Sequence, residues 1–211
     1  MTDSAPIRTL SQLLQDLKDS FSGDKVTVDH ILVAFHERGF GFFLFVFALP
    51  MALPLPVPPG INILLASPLL LMTAQQAIGR QTIWLPESMK KRSFTTQKMS
   101  RIIDMATPWM KRLESIISPR LGFVTQGVFS NFIGILGFIM ALSICIPLPL
   151  TNTVPSFGIA LMAIGVLLRD GLAVIVGAII GSAWVVMLVS VTIFLGAEGI
   201  DLIKSTVKSF F

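Results

Sequence analysis

The sequence predicts an all-α integral membrane protein. Two repeats of proline-broken, re-entrant-like apolar helix hairpins are joined to spanning helices and to interfacial amphipathic helices. Three observations predict this class. Hydrophobic residues make up 53% of the 211 and charged residues only 13%, with mean hydropathy +0.79; charged residues reach about a quarter in an ordinary soluble domain. A Pro-x-Pro recurs within apolar sequence, as Pro54-Leu55-Pro56 and again as Pro147-Leu148-Pro149. Each is followed by a turn holding an asparagine (Asn62; Asn152) and by a second apolar segment that closes on an arginine (Arg80; Arg169).

Proline lacks the amide donor, collides with the carbonyl one turn back and drives its predecessor out of the α region. A segment with Pro50, Pro54, Pro56, Pro58 and Pro59 before Gly60 therefore reads as two apolar helices joined by an extended kink, not as one helix. Pro147, Pro149 and Pro155 repeat the arrangement. In lipid, non-helical backbone is tolerated only inside protein or along a polar cavity, and paired broken segments point to a transport-type site near the midplane. Two tight extramembrane turns between ordinary spans are the competing explanation.

Charge placement orients the chain. Nine of the sixteen basic residues (Arg80, Lys90, Lys91, Arg92, Lys98, Arg101, Lys111, Arg112 and Arg120) fall within 80–120, opposed by Glu87, Asp104 and Glu114. The positive-inside rule puts this segment in the cytoplasm. It has no aromatic platform of the kind that reads nucleic acid, and none is expected as a partner. Cys145 is the single cysteine, and His30 and His36 have no metal-ligand spacing, so neither a disulfide framework nor a metal or cofactor site is expected. The first 25 residues carry charges and lack an apolar core, so no signal peptide is expected.

In order, five segments are expected: interfacial helices over 1–39, the first broken hairpin over 40–84, a basic interfacial region over 85–120, the second hairpin with a spanning helix over 121–197, and an amphipathic tail over 198–211. Ile7, Leu10, Leu13, Leu14, Leu17 and Phe21 fall at helical spacing, with Ser4 as candidate N-cap and Pro6 in the first turn. That helix lies either on the membrane surface or against the bundle. Thr27 caps a second one. Within 98–118, Met99, Ile102, Ile103, Met105, Ala106, Trp109, Met110, Leu113, Ile116 and Ile117 form an apolar stripe opposite lysines and arginines, a pattern suited to anionic lipid headgroups. Phe123 to Ile146 is long enough to cross a bilayer. Leu172 to Leu195 is the clearest span, and its Gly177 and Gly181 form a G-x-x-x-G face that is a candidate for homodimer packing.

The candidate pathway residues are polar side chains in or beside these apolar limbs. Asn62, Thr151, Asn152 and Thr153 lie at the kinks, and Gln75 and Gln76 near the end of the first returning limb. Asn131 is either an interhelical amide or part of the pathway. Arg80 and Arg169 are candidate gates or anion-attracting charges, and Asp170 caps the following helix. Helix N-termini at Gly60 and Pro155 would turn positive dipole ends toward an anionic group such as a lipid phosphate or a carboxylate. The expected function is transport of an anionic solute, ion or lipid-linked group. The alternative is a scaffold or regulator without transport. An intramembrane enzyme is disfavoured, because the kinks and returning limbs lack any carboxylate before Asp170.

The blocks Leu53-Pro54, Pro58-Pro59-Gly60, Gln76…Gly79-Arg80…Trp84-Leu85-Pro86 and Pro147-Leu148-Pro149…Asn152…Pro155…Arg169-Asp170-Gly171 resemble the ExoD exopolysaccharide-synthesis family of bacterial membrane proteins. The resemblance runs from about residue 25 onward, and the blocks are specific in combination. It implies a multi-pass protein of the inner membrane that takes part in exopolysaccharide production, and it supplies no catalytic residue. The plan of two broken hairpins is also similar, in architecture, to the DedA group.

Overall fold

The computed structural model describes residues 9–35, 38–53, 61–146 and 152–209. Helix α1, Leu10–Asp19, opens on a capping box in which the Gln12 amide reaches Thr9 Oγ1 (3.3 Å) and the Thr9 amide reaches Gln12 Oε1 (2.9 Å). Thr9 is therefore the cap, not Ser4, which with Pro6 lies outside the described residues. Strand β1, Lys25–Thr27, pairs antiparallel with β2, Ser93–Thr95. The expected all-α class thus gains a two-stranded ribbon. Three-residue strands are too short for alternation to register in sequence. Helix α2, Val28–Phe35, takes Thr27 as its cap, with the His30 amide donating to Thr27 Oγ1 at 3.2 Å.

The apolar limbs are α3, Gly39–Ala52, and α4, Ile61–Ala77. Both contain a proline. Pro50 lies two residues before the end of α3 and leaves the Val46 carbonyl without its helical amide. Pro68 lies mid-helix and leaves the Leu64 carbonyl without its amide, and Ser67 Oγ donates to that oxygen at 2.8 Å. The expected kinks at Pro54, Pro56, Pro58, Pro59, Gly60, Pro147 and Pro149, with Thr151, lie outside the described residues. Pro155 is described and is not a kink. It occupies the first turn of α8, Thr153–Leu168, where a missing amide costs nothing.

The short α5, Glu87–Lys90, leads through β2 to α6, Thr96–Ile116. The single span expected from Phe123 to Ile146 is broken. Gly122–Thr125 is a 3₁₀ turn entered from Leu121 at φ 51°, and Gly127 at φ 57° separates it from α7, Val128–Ile144. Helix α9 runs Gly171–Ser209 with a break at Gly196 (φ 53°, ψ −137°). Among the described residues, its Gly171–Phe194 stretch is the one helix long and apolar enough to cross a membrane. The other apolar helices, of 14 to 17 residues, rise about 21–26 Å against roughly 30 Å of hydrocarbon.

Four limbs pack in pairs across the hairpins: α3 against α8 and α4 against α7. Each pairing closes on a glycine. A Cβ on Gly41 would stand 2.8 Å from the Ala163 carbonyl oxygen and 3.0 Å from Leu167 N, and one on Gly134 would strike the backbone of Gln76 and Ala77. Helix α9 lies on α8, where Gly177 meets the Gly158 carbonyl, and Gly181 admits the Met140 side chain of α7. The G-x-x-x-G face is therefore filled within the chain, and these glycines are not open to a second copy.

These contacts set direction. Gly41 beside Leu167 and Gly134 beside Ala77 bring the starts of α3 and α7 level with the ends of α4 and α8. The bundle thus has an arginine end, with Arg38, Arg80 and Arg169, and a bend end, with Ala52, Ile61, Ile144 and Thr153. At the arginine end a second core of Leu10, Leu14, Leu17, Val26, Ile31, Phe35 and Ile103 packs on Ile164, Leu167 and Leu168 of α8, forming a cap from α1, α2 and α6.

Candidate functional site

The ends of α4 and α8 build the site. Helix α4 closes in a Schellman turn, with Gly79 at φ 81° and the Arg80 amide bonded to the Gln75 carbonyl at 3.1 Å. Helix α8 closes the same way, with the Asp170 amide on the Gly165 carbonyl at 2.8 Å, but Arg169 itself takes the left-handed position at φ 56°. Both turns deliver an arginine to one cleft of about 470 Å³. Arg38, just before α3, supplies the third guanidinium. Gln76, Gln81, Thr125, Gln126, Ser130 and Asn131 add amides and hydroxyls.

Among the described lining residues there is no carboxylate. The neighbouring Asp170 is buried and committed to capping α9, its Oδ1 accepting the Leu172 and Ala173 amides at 2.9 and 3.3 Å. Burial, and after it the Arg169 guanidinium, lower the Arg38 pKa from its ordinary value. Both causes disfavour the charged guanidinium, and an anion in the cleft would offset them. Helix α7 adds its N-terminus at Gly127 and Val128, which has no side-chain cap. Gln76 lies on the cleft floor at 1% exposure. Its Nε2 donates to Ser130 Oγ at 3.2 Å, and its Oε1 has no partner among the described residues.

The expected site residues divide between the two ends. Gln76, Arg80, Asn131 and Arg169 meet in the cleft. Asn62, Asn152 and Thr153 stand at the bend end, one length of α4 away, or about 25 Å. There Asn62 Oδ1, Asn152 Oδ1 and Ser156 Oγ are buried without a partner among the described residues. Leu69, Met140, Ile159 and Met162 fill the bundle between the ends. Gln75 is structural, clasping the following loop through Trp84 N to Oε1 (2.6 Å) and Nε2 to Trp84 O (3.1 Å). Arg80 and Arg169, expected as gates or anion-attracting charges, lie together in a cleft at the end of the bundle opposite Asn62 and Asn152, because antiparallel limbs return their far termini to the starting level.

Arg38, Ser130 and Thr125 were missed by sequence reasoning. A signal existed for Arg38: it and Arg80 flank one hairpin, and antiparallel limbs bring flanking residues to one level.

Comparison with known proteins adds identity. Residues 10–190 match the family described as exopolysaccharide synthesis, ExoD. The chain is 35% identical over 210 residues to an uncharacterized protein of Synechocystis sp., covering 96% of this chain and 99% of that one. It is 27% identical over 171 residues to Protein ExoD of Rhizobium meliloti, covering 79% and 70% respectively. No solved structure matches the chain significantly. With its apolar helices and a match over most of its length, this chain belongs to the ExoD exopolysaccharide-synthesis family.

Proposed function

We propose that the protein is a multi-pass component of the inner membrane that admits an anionic group to the arginine cleft and passes it between the two hairpins toward the proline bends. One observation carries this reading: three guanidiniums from separate chain segments converge on one cleft with amides and hydroxyls but no described carboxylate. Arginine forks suit phosphate and carboxylate oxygens. Buried polar atoms of Asn62, Asn152 and Ser156, without a partner among the described residues, support a second polar station beyond the apolar layer.

In this reading the two hairpins are repeats. Gly134 follows Gly41 by 93 residues, as Pro147 follows Pro54, and Arg169 follows Arg80 by 89. The crossed pairing of α3 with α8 and α4 with α7 is what a pseudo-twofold axis along the bundle would produce. The basic segment orients the cleft toward the cytoplasm.

Inorganic phosphate is the simplest probe. It is expected to raise the thermal stability of the purified protein as a ligand of the native state does. Arg80→Gln and Arg169→Gln should each weaken binding by roughly tenfold, the scale of one charge-assisted hydrogen bond. An unchanged phosphate shift in the double variant would refute the cleft. Asn62→Ala and Asn152→Ala should leave that shift intact and slow phosphate flux in proteoliposomes. Unaltered flux would remove the passage step and leave binding alone.

A further inference from the structure

The apolar stripe of α6 divides into two rows. One row is spent inside the chain: Ile103 is buried, and Met99, Ala106, Met110, Leu113 and Ile117 pack on the same core as α1. The other row is open. Ile102 is 54% exposed, Met105 60%, Trp109 64% and Ile116 75%. These are large side chains on one helix face, and docking against α1 does not account for them.

Charge on that face is one-sided. At 3.6 residues per turn, the open row shares an arc of about 100° with Lys98, Arg101 and Arg112, and all three bases are exposed. The Arg112 guanidinium lies over the Trp109 ring, 5.3 Å from its centroid. Both acidic residues of α6 fall outside the arc and are engaged by α1: Asp104 with Lys18 Nζ at 2.6 Å, and Glu114 with the Ser11 amide and hydroxyl at 2.7 Å each. The open face therefore presents tryptophan, methionine and isoleucine bordered by cations, with no carboxylate.

We infer that this second face of α6 docks on the anionic surface of the bilayer, with Trp109 at the headgroup–acyl boundary and Lys98, Arg101 and Arg112 on lipid phosphates. A tryptophan with one apolar and one polar edge suits that depth, and each base near an anionic surface adds about 1 kcal/mol. The cap then lies along the membrane beside the bundle rather than projecting into the cytoplasm. This inference does not depend on what the arginine cleft binds.

The full chain carrying Trp84→Phe and Trp184→Phe retains Trp109 as its one tryptophan. In vesicles of phosphatidylcholine and phosphatidylglycerol, bromine-labelled acyl chains should quench its emission at least twofold, and aqueous acrylamide should quench it little. Omitting phosphatidylglycerol, or substituting Lys98→Gln, Arg101→Gln and Arg112→Gln, should reduce bromolipid quenching by half or more. Quenching by acrylamide but not bromolipid would overturn the inference. So would quenching by neither together with chain–chain crosslinking, which would assign the face to a second copy, and so would quenching indifferent to lipid charge. A polarity-sensitive dye on Met105→Cys, with Cys145→Ser, gives the same reading should the tryptophan variants fail to fold.

Discussion

Gly79 and Arg169 hold equivalent left-handed positions at the ends of α4 and α8, at φ 81° and φ 56°. Glycine adopts that conformation freely, while a residue with a Cβ loses about 1 kcal/mol there. Gly79 also faces Asn131, whose Nδ2 would lie 3.3 Å from an added Cβ. Its role is conformational. Arg169 bears the backbone cost while delivering a guanidinium to the cleft. Arg169→Gly should match or exceed the thermal stability of the parent while losing most of the phosphate-induced shift, and Gly79→Ala should be less stable by about 1 kcal/mol or more. Melting curves of both variants, with and without phosphate, check this. A destabilised Arg169→Gly would make the residue structural.

Docking of α1 on α6 shows how unequal two charged contacts can be. Glu114 accepts both the amide and the hydroxyl of Ser11 in the first turn of α1, where negative charge is favoured by the dipole. Lys18 and Asp104 are close, but their side chains are 29% and 56% exposed, so solvent screens the pair to a fraction of a kcal/mol. Glu114→Ala should release α1, costing about 2 kcal/mol and raising amide exchange over Leu10–Asp19. Asp104→Ala should leave that exchange nearly unchanged. The leucine spacing of α1 was legible in sequence, since amphipathic period is a local property. Its partner was not, because Glu114 is 103 residues away from Ser11.

Across the whole molecule, direction follows from close helix crossings. The Gly171–Phe194 stretch of α9 is long and apolar enough to cross a membrane, and under the proposed orientation, with the arginine end cytoplasmic, it would carry the chain outward. In a Cys145→Ser background, Lys90→Cys should react with impermeant maleimide from the cytoplasmic side and Ser205→Cys from the opposite side. Reaction of both from one side would show that α9 does not cross. The 14 to 17 residues of α3, α4, α7 and α8 give each a rise of about 21–26 Å, short of roughly 30 Å of hydrocarbon.

Sequence by itself determined the apolar limbs, the break between them, the basic central segment, the caps at Thr27 and Asp170, and the family. Each depends on chemistry within a few residues: proline geometry, helical period, local charge. Only the tertiary structure decided that Arg80 and Arg169 share a cleft with Arg38 while Asn62 and Asn152 stand at the far end, that Gln75 is a clasp and Gln76 a cleft floor, and that the α6 stripe has one buried row and one open. Those outcomes depend on which helices become neighbours, and here that is decided by close crossings at Gly41 and Gly134, where a missing Cβ lets two backbones meet.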